Sequence, residues 1–182
     1  MKIIHEDKPF KFVRFELQDF KKYYDKINND FAFIFASSSI GDPDSNRQEA
    51  LEKMGDFMTD ALYDDMGCFV YFVYDDNNLP ISVVVYTENN HHYHLEIIST
   101  NEEYKCNGYA SELCLKSFED LANNFDVELV TATVSKENYP SLCLQESLTR
   151  NEKIKFETFS DVHRIGYRYY IDGLVKTPKM SA

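Results

Sequence analysis

The residues of this chain that are best placed to do chemistry are Lys105, Gly108 and Ala110, which lie in one short segment. Lysine supplies a positive charge, glycine can adopt the positive φ angles that other residues avoid, and alanine adds little bulk. In the first turn of a helix, backbone N–H groups lack partners within the helix and can bind an anion. The spacing Lys-x-x-Gly-x-Ala therefore predicts a binding site for a phosphate or pyrophosphate group.

The elements on either side of this segment are predicted from periodicity to be a strand and a helix. Before it, Tyr93, Leu95 and Ile97 occupy every second position, the period expected for a strand with one main packing face. After it, apolar residues recur at offsets of three and four, which is typical of one buried helical face. These helix residues are Ala110, Leu113, Cys114, Phe118, Leu121 and Ala122.

The strand, loop and helix together resemble the GNAT superfamily of acyl-CoA-dependent N-acetyltransferases. In that family a Gln/Arg-x-x-Gly-x-Gly/Ala loop between the fourth strand and the third helix binds pyrophosphate. Lys105 departs from the pattern, because it keeps the charge of arginine but not its planar side chain. Downstream, the family has a fifth strand and then a helix that begins near an asparagine in contact with coenzyme A. Here a β-branched segment, 127–134, is followed by Asn138.

The resemblance implies an α/β fold with one mixed, mainly antiparallel sheet of about seven strands flanked by helices, in which the fourth and fifth strands splay apart. Periodicity predicts the matching element order β-α-α-β-β-β-α-β-α-β-β. A polar segment, 37–44, precedes a capping box at Ser45-x-x-Gln48 that is predicted to begin the second helix. The alternating Phe31, Phe33 and Phe35 lie where the family shapes its acceptor pocket, with burial in the core as the alternative use.

The resemblance also implies which residues bind the co-substrate, acetyl-CoA. It assigns contacts with the thioester and the pantetheine arm to Ile98 and Thr100, and a further contact to Asn138. It assigns pyrophosphate binding to the loop residues Lys105, Cys106, Asn107, Gly108, Tyr109 and Ala110.

The reaction implied is direct attack of a primary amine on the thioester in a ternary complex, without an acyl-enzyme. A simple alkylamine has a pKa of about 10.4, so near neutral pH only about a thousandth is unprotonated, a cost of roughly 4 kcal/mol. A base is therefore needed, and the resemblance assigns that role to a carboxylate on the fourth strand, here Glu96. Glu96 is expected on the face opposite Leu95 and Ile97. The alternative is a solvated strand glutamate without a role in catalysis.

The expected acid for the departing thiolate is missing from this chain. Many family members have a tyrosine seven residues after the asparagine, and here that position is Gln145. Tyr139, one residue after Asn138, is not assigned the role. An ordinary thiol has a pKa near 8.5, so the thiolate is a fairly good leaving group without an acid. The departure leaves open a second function, a catalytically idle module that binds an acyl-CoA as a sensor or in an assembly.

The net charge of −12 argues against nucleic acid as a ligand, since that binding needs cationic side chains. The expected partner is a small-molecule or peptide amine that carries positive charge. A polyamine, an aminoglycoside and a protein amino group all stay open, as does a homodimer. The charge alone also suggests a third function, an acidic interaction protein that binds a basic partner.

The chain of 182 residues, 43% of them apolar, is expected to form a single domain, 1–182. Near the N-terminus the sequence has no uninterrupted apolar segment long enough for a signal peptide, and no segment approaches the ~20 residues of a membrane span. The expected location is the cytoplasm, away from membranes. The four scattered cysteines are expected to be reduced thiols.

Two other sets of reactive residues are given structural interpretations. His92, His94 and Glu96 share alternate positions of one strand, but such residues spread over about 13 Å, too far to converge on one ion. No metal site is expected. Cys143 is interpreted as a buried helix residue rather than a nucleophile, because nothing in the sequence places His163 beside it.

Overall fold

One eight-stranded β-sheet organises the chain in the computed structural model, which describes residues 1–37, 41–90 and 92–175. The strands are β1 (Lys2–Asp7), β2 (Phe10–Glu16), β3 (Cys68–Tyr74), β4 (Pro80–Asn89), β5 (His92–Thr100), β6 (Leu129–Ser135), β7 (Lys155–Ser160) and β8 (Arg164–Tyr170). The helices are α1 (Leu17–Ala36), α2 (Pro43–Asp64), α3 (Tyr109–Asn124) and α4 (Tyr139–Thr149), with short 3-10 turns at Glu102–Tyr104 and Asp172–Leu174.

The sheet is mixed and mainly antiparallel, as predicted. Its strand order is β1-β2-β3-β4-β5-β6-β8-β7, and the pairing of β5 with β6 is the parallel one among the described strands. The eight strands are close to the predicted count of about seven, and the added one is the edge strand Lys2–Asp7, which pairs with Phe10–Glu16. Most of that added strand is exposed, so its sequence has no clear alternation of apolar and polar residues to reveal it.

Two hydrophobic cores lie on opposite faces of the sheet. On one face, α1 and α2 cover β2, β3 and β4, and on the other face α3 packs against the sheet together with the end of α4. The central strand β3 is buried at every position, which explains its uninterrupted apolar and aromatic sequence. The edge strand β7, in contrast, is exposed at every position. Strands β2, β3 and β4 are therefore covered on both faces.

The cap of the second helix, α2, differs from the prediction. Asp42, not Ser45, caps α2, because its Oδ2 accepts a 2.9 Å hydrogen bond from the Ser45 amide and Pro43 is well suited to the first helical position. Those hydrogen bonds lower the pKa of Asp42. The alternating phenylalanines belong to α1, where Phe31 and Phe35 stack one turn apart with ring centroids separated by 4.4 Å. Residues 38–40 of the predicted polar segment lie outside the described residues.

A β-bulge in β5 changes which way its side chains face. Val85 pairs with Ile97 and Tyr86 pairs with Leu95, so Glu96 is an extra residue without a partner on β4. The bulge reverses the alternation beyond it: Leu95 packs in the core beneath α3, whereas Ile97 packs against the core of α1 and α2. The prediction that Leu95 and Ile97 share a face is therefore wrong.

The predicted splay of two strands is confirmed, at β5 and β6. The parallel ladder between them has three residue pairs and ends at Leu95 with Ala132. From Ile97 to Thr100, β5 pairs only with β4 in the described part of the chain. The two strands therefore part directly after the bulge, which leaves backbone groups along the edge of β5 free for another partner.

Candidate functional site

A cavity of about 320 Å³ opens where β5 and β6 separate. Its walls come from α1, α2, β5, β6 and α4, so both cores of the protein border it. The side chains of the wall that matter for its chemistry are Phe31, Phe35, Lys53, Glu96, Ile98 and Gln145. Of the predicted acceptor-pocket aromatics, Phe31 and Phe35 border the cavity, whereas Phe33 is partly exposed elsewhere on α1.

Glu96 brings a carboxylate to this cavity because it is the bulged residue. Its side chain is exposed, and its Oε1 accepts a 2.6 Å hydrogen bond from the hydroxyl of Thr87 on β4. Thr87 is itself buried, so it fixes the carboxylate from the sheet side. Among the described residues that border the cavity, Glu96 and Lys53 are the two with ionisable side chains. Glu96 is thus an oriented, accessible acceptor of a proton.

The loop between β5 and α3 has the backbone shape that its glycine suggested. Gly108 has a φ of 84° and immediately precedes α3, and Cys106 also has a positive φ, 63°. No side chain in the described structure caps the N-terminus of α3. A Cβ added at Gly108 would meet nothing within 4 Å. The first-turn amides of α3 therefore lie beside open space, the arrangement in which helix N-termini bind anions.

Side chains of the loop hold its shape rather than fill that space. The Asn107 side-chain amide donates to the carbonyl oxygens of Tyr104 and Lys105, at 3.2 and 3.0 Å. Tyr109 packs edge-on against Phe10 and Tyr104. The ammonium of Lys105 forms a 2.6 Å ion pair with Glu102, and both side chains are partly exposed. Lys105 is therefore near the helix N-terminus but is paired with an acid.

The other predicted cofactor contacts are divided between the cavity and its surroundings. Ile98 and Asn138 border the cavity. Asn138 also caps α4, since its Oδ1 accepts a 3.2 Å hydrogen bond from the Ser141 amide. The hydroxyl of Thr100 lies 2.9 Å from that of Ser82, so this side chain is turned toward β4. For Thr100, only the backbone is available to a ligand in the gap.

The most informative side chain that sequence reasoning did not assign is Gln145. It is 1% exposed, borders the cavity, and accepts a 2.6 Å hydrogen bond from the hydroxyl of Tyr169 on β8. Burial raises the pKa of Tyr169, which keeps this hydroxyl protonated. Tyr139 is 73% exposed and lies away from the cavity. The signal in the sequence was the glutamine where the family pattern has tyrosine, but its partner is 24 residues away.

The other reactive residues do not border the cavity. Nδ1 of His94 bonds the Thr131 hydroxyl at 2.8 Å, and His92 and His94 both border a second, shallow groove on the uncovered face of β6 and β8. Cys143 is exposed, which corrects the prediction that it is buried, because α4 packs through Leu144 and Leu148 instead. Burial raises the pKa of the Cys114 thiol to about 12.

Comparison with known proteins identifies the family to which this chain belongs. The family model for the acetyltransferase (GNAT) family matches residues 18–146. The chain belongs to the GNAT acetyltransferase family. No curated protein matches the chain in sequence. No helix among the described residues is long and apolar enough to span a membrane.

Solved structures share the fold at low sequence identity. A GNAT-family protein from Desulfovibrio desulfuricans matches with a TM-score of 0.65 at 14% identity, over 89% of this chain and 99% of its own. RimL, a ribosomal L7/L12 α-N-protein acetyltransferase solved with coenzyme A, matches with a TM-score of 0.60 at 12% identity, over 94% and 99% of the chains. A point mutant of spermidine N-acetyltransferase SpeG from Vibrio cholerae matches with a TM-score of 0.57 at 15% identity, over 91% and 95%.

Proposed function

We propose that this protein transfers the acetyl group of acetyl-CoA to a primary amine by direct attack in a ternary complex, without an acyl-enzyme. The observation that carries the proposal is the cavity at the β5–β6 split, with the Glu96 carboxylate in its wall. Membership of the acetyltransferase family supports the reaction class. One continuous sheet with strands from Lys2 to Tyr170 supports the proposal that the chain forms a single domain.

The loop after β5 fits the diphosphate of the co-substrate. The open space at Gly108 and the uncapped turn of α3 would receive it, with contacts from the loop residues Lys105, Cys106, Asn107, Gly108, Tyr109 and Ala110. The Lys105–Glu102 pair is exposed, and pairs of that kind contribute only about 0–1 kcal/mol. Lys105 can therefore exchange Glu102 for a phosphate at little cost.

The edge of β5 that faces away from β4 fits the pantetheine arm and the thioester of the co-substrate. Free backbone groups of β5 at Ile98 and Thr100 would bond the pantetheine amides and the thioester oxygen, much as they would bond a neighbouring strand. Asn138 keeps its amide nitrogen available, because its Oδ1 serves the cap of α4. RimL, whose structure contains coenzyme A, shares this fold.

Glu96 is the base in this proposal. An ammonium that enters the cavity loses a proton to the carboxylate, directly or through a water molecule, and the neutral nitrogen then attacks the thioester carbon. Thr87 orients the carboxylate by its 2.6 Å hydrogen bond to Oε1. The thioester supplies an activated carbonyl and a thiolate leaving group.

The acceptor is a primary amine that reaches the cavity past α1 and α2. Phe35, which is partly exposed and stacks on the buried Phe31, offers aromatic surface for an alkyl chain or an ammonium group. The related structures include enzymes named for a ribosomal-protein N-terminus and for spermidine, so a peptide amine and a polyamine are the two classes to test first.

The proposal is tested by incubating the protein and acetyl-CoA with a polyamine, an aminoglycoside and peptides that have a free amino group. We expect one acceptor class to gain a single acetyl group by mass spectrometry, with free CoA released in equal amount. Calorimetric titration with acetyl-CoA runs in parallel. Tight binding without any acetylated acceptor would instead support the idle acyl-CoA-binding module, which the glutamine at position 145 favours.

A further inference from the structure

Gln145 lies in the wall of the cavity that contains Glu96, on a different element. Glu96 belongs to β5 and Gln145 to α4, so a molecule in the β5–β6 gap has one on the strand side and the other on the helix side. Gln145 is 1% exposed, an unusual environment for a polar side chain unless its groups are satisfied.

One end of the Gln145 amide is fixed by Tyr169. The tyrosine hydroxyl donates to Oε1 at 2.6 Å. With Oε1 as the acceptor of this bond, the amide nitrogen Nε2 is the end of the side chain that stays free to donate. Tyr169 is held in turn by stacking on Tyr167, with ring centroids 5.9 Å apart, and by contact with Phe118.

The other end of the amide, Nε2, faces the cavity. In the described part of the chain, Asn28 Oδ1 is the one fully buried side-chain polar atom without a hydrogen-bond partner. The one hydrogen bond described for Gln145 is at Oε1, so Nε2 has no partner. Because Nε2 is nevertheless not among the fully buried atoms without a partner, it retains contact with open space. The open space beside Gln145 is the cavity. A nearly buried amide group therefore directs an unpartnered donor into the candidate site.

We propose that Gln145 Nε2 donates a hydrogen bond to the thioester sulfur as it becomes a thiolate, and that Tyr169 positions this donor. The inference rests on the proposed acetyl transfer and adds a catalytic residue to it. The amine nitrogen forms the new C–N bond, and the C–S bond breaks with its electron pair on sulfur. Glu96, which has by then released the proton of the ammonium to solvent, accepts the second proton from the nitrogen. Gln145 loses no proton, and the thiolate later takes one from solvent.

This assignment explains how the site can work without an acid at position 145. An amide cannot protonate the sulfur, but a hydrogen bond to an ion is stronger than one to a neutral group. The interaction grows as negative charge develops on sulfur, so it stabilises the transition state more than the bound thioester.

The test measures the thiol pKa of CoA itself, bound to the wild-type protein and to Gln145→Met. CoA labelled with an NMR-active isotope at the carbon next to sulfur is titrated with pH at saturating protein. A free thiol has a pKa near 8.5. We expect bound CoA in the wild type to titrate about one unit below CoA bound to Gln145→Met, a roughly tenfold shift for one hydrogen bond to an anion.

Two further variants separate a direct contact from a general effect on the fold. Glu96 and Lys53, the ionisable side chains of the cavity wall, are present in both proteins, so they cancel from the comparison. Glu146→Gln changes the next residue of α4, which is exposed and pairs with Arg150, and should leave the thiol pKa at the wild-type value. Tyr169→Phe keeps the amide but releases it, and should give an intermediate pKa with the protein still folded.

The outcomes distinguish this inference from the proposed function. A thiol pKa that is equal in the wild type and Gln145→Met, with CoA bound to both, would overturn the role of Gln145 and leave acetyl transfer standing. If Gln145→Met does not fold, an unchanged thiol pKa in Tyr169→Phe overturns the positioning role on its own. Failure of the wild type to bind CoA or acetyl-CoA would overturn the proposed function itself.

Discussion

The loop before α3 and the cavity between β5 and β6 are built in different ways. The loop offers backbone amides, and its key residue, Gly108, contributes by having no side chain. The cavity offers side chains, Glu96 and Gln145, each held by a hydroxyl from a neighbouring strand. Binding of a diphosphate needs local backbone geometry, whereas acyl transfer needs groups from distant parts of the chain to converge. The two regions should therefore fail separately when they are mutated.

The largest difference between the effect on catalysis and the effect on acetyl-CoA binding is expected for Glu96→Gln. Removal of the base should lower kcat/KM by about 100-fold or more, because general base catalysis contributes about 10²–10⁴ in rate. The dissociation constant of acetyl-CoA should change little, since the loop is intact. Steady-state kinetics with the acceptor found in the screen, together with calorimetry, measures both.

Glu128→Gln is the matched control for that variant. Glu128 is exposed just before β6 and does not border the cavity, so its neutralisation should leave kcat/KM unchanged. If Glu96→Gln turns over as fast as this control, Glu96 is the solvated strand residue that the sequence left as an alternative.

The difference between local backbone geometry and convergence of distant groups also explains which features of each region could be predicted from the sequence. Gly108 and the apolar face of α3 are local signals, and the loop and helix lie where those signals put them. The bulge at Glu96 depends on how Val85 and Tyr86 of another strand pair with β5, so the alternation of β5 alone led to the wrong face for Ile97. Burial and pairing partners across the sheet are not encoded within one window of sequence.

Gln145 shows the same limit more sharply. The sequence showed only that a tyrosine was missing at this position, and a missing residue says nothing about what replaces its function. The bond to Tyr169 joins α4 to β8, and it exists because both side chains reach the same interior. Similarly, the edge strand β1 was missed because it buries little of its surface.

The free energy of unfolding is expected to fall at high pH, and this limits the pH range in which variants of the two regions can be compared. The buried thiol of Cys114 has a folded pKa of about 12, against about 8.5 for an unfolded thiol. Its contribution to stability is complete below the unfolded pKa and is lost as pH rises toward the folded pKa. We expect the free energy of unfolding to fall by about 2 kcal/mol between pH 8 and pH 10 from this thiol.

Urea unfolding at both pH values, for the wild type and Cys114→Ala, measures this loss. The variant should be less stable at pH 8, because it leaves a small cavity, but it should lose less stability on going to pH 10. Equal losses in the two proteins would show that Cys114 does not titrate in this way. The kinetics of variants in the two regions are best compared below pH 8.

The smallest expected effect concerns Lys105. Because its ammonium is shared with Glu102 and exposed, Lys105→Ala should weaken acetyl-CoA binding by only about threefold to tenfold, and less at high salt. The control is Lys116→Ala on α3, where Lys116 lies near Glu119 and should not affect binding. A loss of more than a hundredfold at Lys105 would mean that the side chain, not the backbone, forms the phosphate site.

Calorimetric titration of acetyl-CoA into the wild type and Gly108→Glu tests the central claim most directly. A carboxylate in the open space beside Gly108 would lie at contact distance from the diphosphate, and a like-charge pair there costs several kcal/mol at an effective dielectric of about 20. Thr158→Glu adds the same charge on the exposed β7 and controls for the change in net charge. We predict binding by the wild type and by Thr158→Glu, and at least a hundredfold weaker binding by folded Gly108→Glu. Equal affinity in all three proteins, or no binding by the wild type, would contradict the account.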